Sequence, residues 1–257
     1  MDTLTTRGTT SVVRANSLLA EWKQFGAFLK RPQLPDRAPM PNLSSVAAVL
    51  RMLGLDLVIM IALLGIAGAV MSSGIDLPET ALSGMEITGA VVFAAVIVAP
   101  IAEEIVFRGW LSGRPGHILA LALLIGGGMG AAVVAGTGTG TGDLQAMGSA
   151  ALAGFVSAVL AGAAIFLLRR RGAIGWFARF FPAFFWLSTV GFACVHLLNF
   201  PPEQIAMALP LVLPQFATGA ILGYLRVNHG LWASMLLHLL HNGAFISLVL
   251  LASGAGA

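Results

Sequence analysis

Three short stretches of this 257-residue chain carry side chains that can do chemistry in combination. The first is Ala102-Glu103-Glu104-Ile105-Val106-Phe107-Arg108-Gly109, the second Phe192-Ala193-Cys194-Val195-His196, and the third holds His238, His241 and Asn242. Helical spacing sorts the first. Glu104 and Arg108 are four apart with the acid N-terminal, the favourable order for an ion pair on one helix face. Glu103 points about 100° away and has no such cation on its own helix, which leaves it free to act as a general base. The bland alternative is that both glutamates only balance charge in the interior. His238 and Asn242 are also four apart, so they project from one face and can both donate to a single oxygen, as an oxyanion hole requires. His196 can complete the site by sharing a water with Glu103. His241 turns about 60° from His238 and is expected to support the site from its margin.

The elements that position these residues are set by lipid. Hydrophobic residues make up 58% of the chain and charged residues 10%, against about 25% charged in globular proteins. A soluble fold of that composition lacks the charge to cover its surface. About 20 apolar residues cross a ~30 Å hydrocarbon core, and seven stretches qualify: 53–73, 88–111, 117–136, 147–168, 181–199, 204–225 and 231–253. The expected fold is therefore an all-α polytopic membrane protein of about seven transmembrane helices. Pro182 is expected to interrupt the fifth. The candidate residues lie inside spans two, five and seven, where an ionisable group costs several kcal/mol and marks a functional site by default. At 1.5 Å per residue, Glu103 lies ~12 Å and His238 ~10 Å from the N-terminal side of the membrane, and His196 ~20 Å. Those depths predict attack from the cytoplasmic side.

Basic residues give the orientation. Arg7, Arg14, Lys23, Lys30, Arg31, Arg37 and Arg51 precede or open the first span, Arg114 follows the second, Arg169, Arg170, Arg171 and Arg179 the fourth, and Arg226 the sixth. The alternate connections carry Asp76, Glu79, Asp143 and Glu203 instead. The positive-inside rule then places the N-terminus in the cytoplasm and the C-terminus outside. The net charge of +3 faces lipid headgroups on this reading, and no nucleic-acid partner is expected. Residues 1–45 form a cytoplasmic extension and 46–257 the transmembrane domain. Within the extension Leu18, Leu19, Trp22, Phe25 and Leu29 recur at helical spacing among basic residues, the pattern of an amphipathic helix lying either on the membrane or on the protein's own cytoplasmic face. No signal peptide is expected, and the single Cys194 is read as packing. Gly126 and Gly130 suit close helix approach in lipid. The run Thr137 to Gly142 lacks the Lys-Ser/Thr pair of a phosphate-binding loop and is read as an outer loop. Trp110, Trp176 and Trp232 fall near the cytoplasmic boundary, as an aromatic belt would place them, together with His117 and His229.

At the three motifs the sequence resembles the CPBP family, also called ABI, of type II CAAX prenyl endopeptidases, their bacterial relatives and some bacteriocin-immunity proteins. Glu-Glu-x-x-x-Arg matches Glu103, Glu104 and Arg108; Phe-x-x-x-His matches Phe192 and His196; His-x-x-x-Asn matches His238 and Asn242. The resemblance covers roughly 88–247, with Leu222-Gly223-Tyr224-Leu225-Arg226 and Gly230-Leu231-Trp232 before the third motif. One departure is that spans three and four stand between the first two motifs, where the family usually has little more than one helix. The resemblance implies an intramembrane endopeptidase in a cell membrane, the bacterial inner membrane being the expected one, acting on a membrane-associated peptide or protein. It implies that Glu103 and His196 activate water while His238 and Asn242 stabilise the oxyanion, with Glu104 and Arg108 in support. The family is often labelled metalloprotease, and Glu103, His196 and His238 are the set that can hold zinc. Catalytic zinc usually takes three protein ligands, the His-Glu-x-x-His motif is absent, and the metal-free route is preferred. Two other readings stand beside it: an ion- or proton-coupled transporter, for which buried Glu, Arg and His form a pathway, and a non-catalytic immunity or scaffold protein.

Overall fold

The computed structural model describes residues 15–80, 84–136 and 144–254, and all secondary structure among them is helical. Arg7, Arg14, the run Thr137 to Gly142 and Asp143 lie outside the described residues. A short helix α1 (Leu18–Lys30) precedes seven that are long and apolar enough to cross a membrane. The first is α2 (Leu43–Ser72), capped by Asn42, whose side chain accepts from the Ser45 N–H. It begins ten residues before the expected span because this cap starts the helix ahead of its most apolar part. Next come α3 (Gly89–Ser112), capped by Thr88, then α4 (Pro115–Gly136) and α5 (Leu144–Leu167). A short α6 (Gly175–Arg179) leads to α7 (Phe181–Val195). Pro182 sits in the first turn of α7, where its missing N–H has no intrahelical partner to lose, so it starts the helix instead of interrupting it. After a broken stretch over 202–212, α8 (Leu213–His229) and α9 (Leu231–Gly254) close the chain, with Gly230 at φ 102° making the turn between them.

The core sits around α8. Every residue from Thr218 to His229 is buried there, against α2, α7 and α9, while α3 packs on α9 and α7. Elsewhere apolar side chains face outward, Ile61 on α2 and Phe155 and Phe166 on α5 among them. Helices with apolar exteriors match a lipid solvent, and the chain is a multi-pass membrane protein. The α4–α5 hairpin packs chiefly on itself and meets the rest through the last turn of α3. Its close approaches are at Gly116, where an added Cβ would fall 2.9 Å from the Ala164 carbonyl oxygen, and Gly127, where it would overlap Ser157. Gly126 and Gly130, expected at that contact, have nothing within 4 Å: the hairpin's facing stripe runs one residue round the helix. Cys194 is exposed on the outside of α7 and is not packed in the interior.

The amphipathic α1 docks on the protein. Glu21 and Phe25 are buried, Tyr224 donates to Glu21 Oε1 at 2.9 Å, and Phe25 and Phe28 meet the Tyr224 ring edge-on. Arg51 lies 3.7 Å from Glu21 Oε2, and Trp22 donates from its indole to the Arg51 carbonyl. Leu18 and Leu19, at the start of the helix, stay exposed.

Candidate active site

The site grows from an irregular helix. Residues Ala94–Val98 of α3 run as a π-helix, shown by the Ala99 N–H reaching the Ala94 carbonyl. In that register the Ala95 carbonyl would pair with the nitrogen of residue 100, which is a proline without an N–H. Asn242 of α9 supplies the missing donor, its side-chain amide reaching the Ala95 carbonyl at 2.8 Å. One amide hydrogen of Asn242 thus ties α9 to α3, and the other remains for a ligand.

One turn on, Arg108 donates to Glu104 Oε1 at 3.0 Å, and neither side chain has any exposure. His238 Nδ1 meets the same carboxylate oxygen at 3.1 Å. A carboxylate paired with a guanidinium only accepts, so Nδ1 carries the ring proton and Nε2 is the edge His238 presents elsewhere. That edge lies 3.6 Å from Glu103 Oε2. Glu103, whose side chain keeps 29% of its exposure, is the accessible member of the adjacent acids. The sequence expectation of a buried Glu104–Arg108 pair beside a separate Glu103 corresponds to this arrangement, and His238 bridges the two acids.

Phe192 explains why an aromatic precedes His196 by four. The Arg108 guanidinium sits over its ring at 3.9 Å, a cation–π contact in a dry interior. Phe107, His196 and His238 meet the same ring edge-on, at 5.5, 4.8 and 5.7 Å between centroids. Gly219 of α8 lets this stack close: a Cβ there would come 3.1 Å from Phe192 and 3.2 Å from Arg108, whose Nη2 makes a long 3.4 Å bond to the Gly219 carbonyl. At the end of α7 the chain tightens to a 3-10 turn, which frees the Phe192 carbonyl. His196 Nδ1 takes it at 2.8 Å. Nδ1 is therefore the donor, and Nε2 keeps a lone pair for a proton.

His196, His238, His241 and Asn242 line one cavity of about 390 Å³. Glu103 is not part of that lining and adjoins it through His238. Thr80, Asn199 and Phe200 also line it, and they belong to the connections opposite the turns that carry Arg37, Arg114 and Arg226. The depth count pointed to the basic side. It weighed Glu103 and His238, whereas His196, counted ~20 Å deep, sits at the far end of α7 and the cavity is lined from there.

One site residue escaped the sequence reading. Asp56 of α2, fully buried, accepts from Thr218 at 2.7 Å and from His241 Nδ1 at 2.5 Å. A lone acid in the first apolar span was its signal, but its partner lies 185 residues away. His241 is thereby fixed in the cavity wall and is not left at its margin.

The set that could hold zinc is Glu103, His196 and His238. Among the described residues no three His, Cys, Asp or Glu side chains gather as metal ligands. His238 Nδ1 is held by Glu104 and His196 Nδ1 by a main-chain carbonyl, which leaves each Nε2 free, an orientation that metal-bound histidines also adopt.

The α4–α5 hairpin, the departure noted in the sequence, leaves the first two motifs in contact: Ser188 of α7 donates to the Phe107 carbonyl of α3 at 2.6 Å. Comparison with known proteins agrees with that continuity. A family model described as type II CAAX prenyl endopeptidase Rce1-like matches residues 86–244, a stretch that includes the hairpin and all three motifs. Comparison with curated proteins and with solved structures gives no match. With its motifs joined across the hairpin and the match running over more than half its length, the chain belongs to the Rce1-like family of type II CAAX prenyl endopeptidases.

Proposed function

We propose that this chain hydrolyses a peptide bond of a membrane-associated peptide or protein by direct attack of water, with Glu103 as the base. Glu103 takes one proton from the water, whose other hydrogen is accepted by His196 Nε2. The water oxygen bonds to the carbonyl carbon, and negative charge develops on the carbonyl oxygen. His238 and the second amide hydrogen of Asn242 donate to that oxygen. To donate from Nε2 while Nδ1–H stays on Glu104, His238 has to carry both ring protons, with Glu104 and the developing oxyanion as its counter-charges. The carbon–nitrogen bond then breaks, and the proton held by Glu103 passes to the departing nitrogen. No step of this proposal runs through a metal.

The observation that carries this reading is His238 held between Glu103 and an Arg108-paired Glu104. An inert charge pair needs only Glu104 and Arg108. The partly exposed acid and the oriented imidazole beside it are what hydrolysis adds. The lining of the cavity by Thr80, Asn199 and Phe200 supports approach of substrate from that end of the bundle.

The test compares purified wild type with Glu103→Ala and His238→Ala on a panel of membrane-tethered peptides, with thermal unfolding as the control for folding. Wild type cuts at least one peptide, and both folded variants lose cleavage. Folded variants that cut like wild type refute the assignment. Chelation is expected to leave the rate unchanged, and a loss restored by added zinc would refute the metal-free route.

A further inference from the structure

A second cavity, of about 310 Å³, lies at the opposite end of the bundle, between the Pro-rich stretch before α2 and the turns α3–α4 and α8–α9. Arg37, Arg114 and Arg226 line it, with His117, and Asp36 is the acid in its lining. Three permanent cations face one acid. Arg226 is 8% exposed, and its Nε and Nη2 donate to the carbonyls of Arg108 and Gly109 at 2.8 and 3.1 Å. Carbonyl oxygens satisfy geometry, Glu104 acts on the charge only through space, and further guanidinium N–H groups remain. Arg114 and Arg226 both act electrostatically on His117, so the cations crowd one another. Trp232 adds a buried indole Nε1 with no hydrogen-bond partner. An excess of positive charge, a buried guanidinium and an idle N–H donor together describe a receptor for an oxyanion.

We propose that this cavity binds a phosphate group, with Arg114, Arg226 and the Trp232 indole as donors. The inference is separate from the proposed hydrolysis, since none of these residues touches Glu103, His238 or Asn242. A phosphate accepts several N–H groups at once, and guanidinium matches its geometry. The cavity sits at the end of the bundle where basic connections gather, Arg114 reaching the Arg169 carbonyl there at 3.3 Å. That is where a phospholipid headgroup or a free phosphate would arrive.

The test measures binding to the full chain in nonionic detergent with three probes: inorganic phosphate, short-chain phosphatidylglycerol and the matching diacylglycerol. The phosphate-bearing probes are expected to bind and the diacylglycerol is not. Tighter binding of the lipid identifies a headgroup site, and equal binding a site for the free anion. Arg114→Gln and Trp232→Phe should each weaken binding about tenfold at an unchanged thermal midpoint, the loss of one hydrogen bond to a charged group. Asp36→Asn should tighten it. Arg226 is left intact because it also holds α3. No phosphate-dependent binding by wild type, or variants that bind as wild type does, would overturn the proposal.

Discussion

The helices of the bundle (α2, α3, α7, α8 and α9) and those of the α4–α5 hairpin are all apolar enough to cross a membrane, yet the two regions are built on different principles. In the bundle, buried polar groups are cross-linked: Asp56 to Thr218 and His241, Glu104 to Arg108 and His238, and Asn242 to Ala95. In the hairpin, small residues let two backbones approach, and the main polar link is Ser157 donating to the Leu123 carbonyl. Small-residue packing holds two helices together in lipid but specifies no chemistry. Buried, paired charge is costly to assemble and is found where the site is. Together they show how a hairpin can lie between two motifs in sequence without parting them in space.

This contrast can be broken by mutation. The largest effect is expected at Glu103→Gln, which removes the proposed base and should lower cleavage by about 10²–10⁴-fold with little change in the thermal midpoint. Arg108→Met leaves Glu104 as an uncompensated buried charge, and about 3–5 kcal/mol of stability should be lost, read by unfolding in detergent. Asp56→Asn keeps the shape but weakens a charge-assisted bond to His241, and a loss of about 1–3 kcal/mol is expected. Gly219→Ala must push Phe192 or Arg108 by a few tenths of an ångström. It should slow cleavage by several-fold while a substitution in the hairpin does not. The smallest effect is set for the hairpin itself: Gly127→Ala displaces Ser157 and should loosen α4 from α5, with cleavage close to wild type. A hairpin variant as damaging to cleavage as Gly219→Ala would erase the distinction between the two regions.

Much of this was legible in the sequence for physical reasons. Span length and apolarity are local properties, so seven helices could be read directly. The Glu104–Arg108 pair follows from spacing within one helix, and so does the separate direction of Glu103. What spacing cannot carry is contact between helices. Asp56 and His241 are joined only because α2 packs on α9, and the role of Phe192 under Arg108 appears only when α3 meets α7 and α8. The side from which the cavity is lined was misjudged because the depths of Glu103 and His238 were followed and the deeper His196 was not. The π-helix at Ala94–Val98 was hidden too: Pro100 signals an irregularity, but which carbonyl it frees depends on the register the helix adopts.

The central claim is that water, activated at Glu103, attacks the peptide bond directly. It is tested by a single turnover of wild type in H₂¹⁸O with a cleaved membrane-tethered peptide. The account predicts one ¹⁸O in the new product carboxylate and none in the Glu103 side chain. Product carrying only ¹⁶O after the first turnover would show that an enzyme oxygen had attacked, and would contradict it.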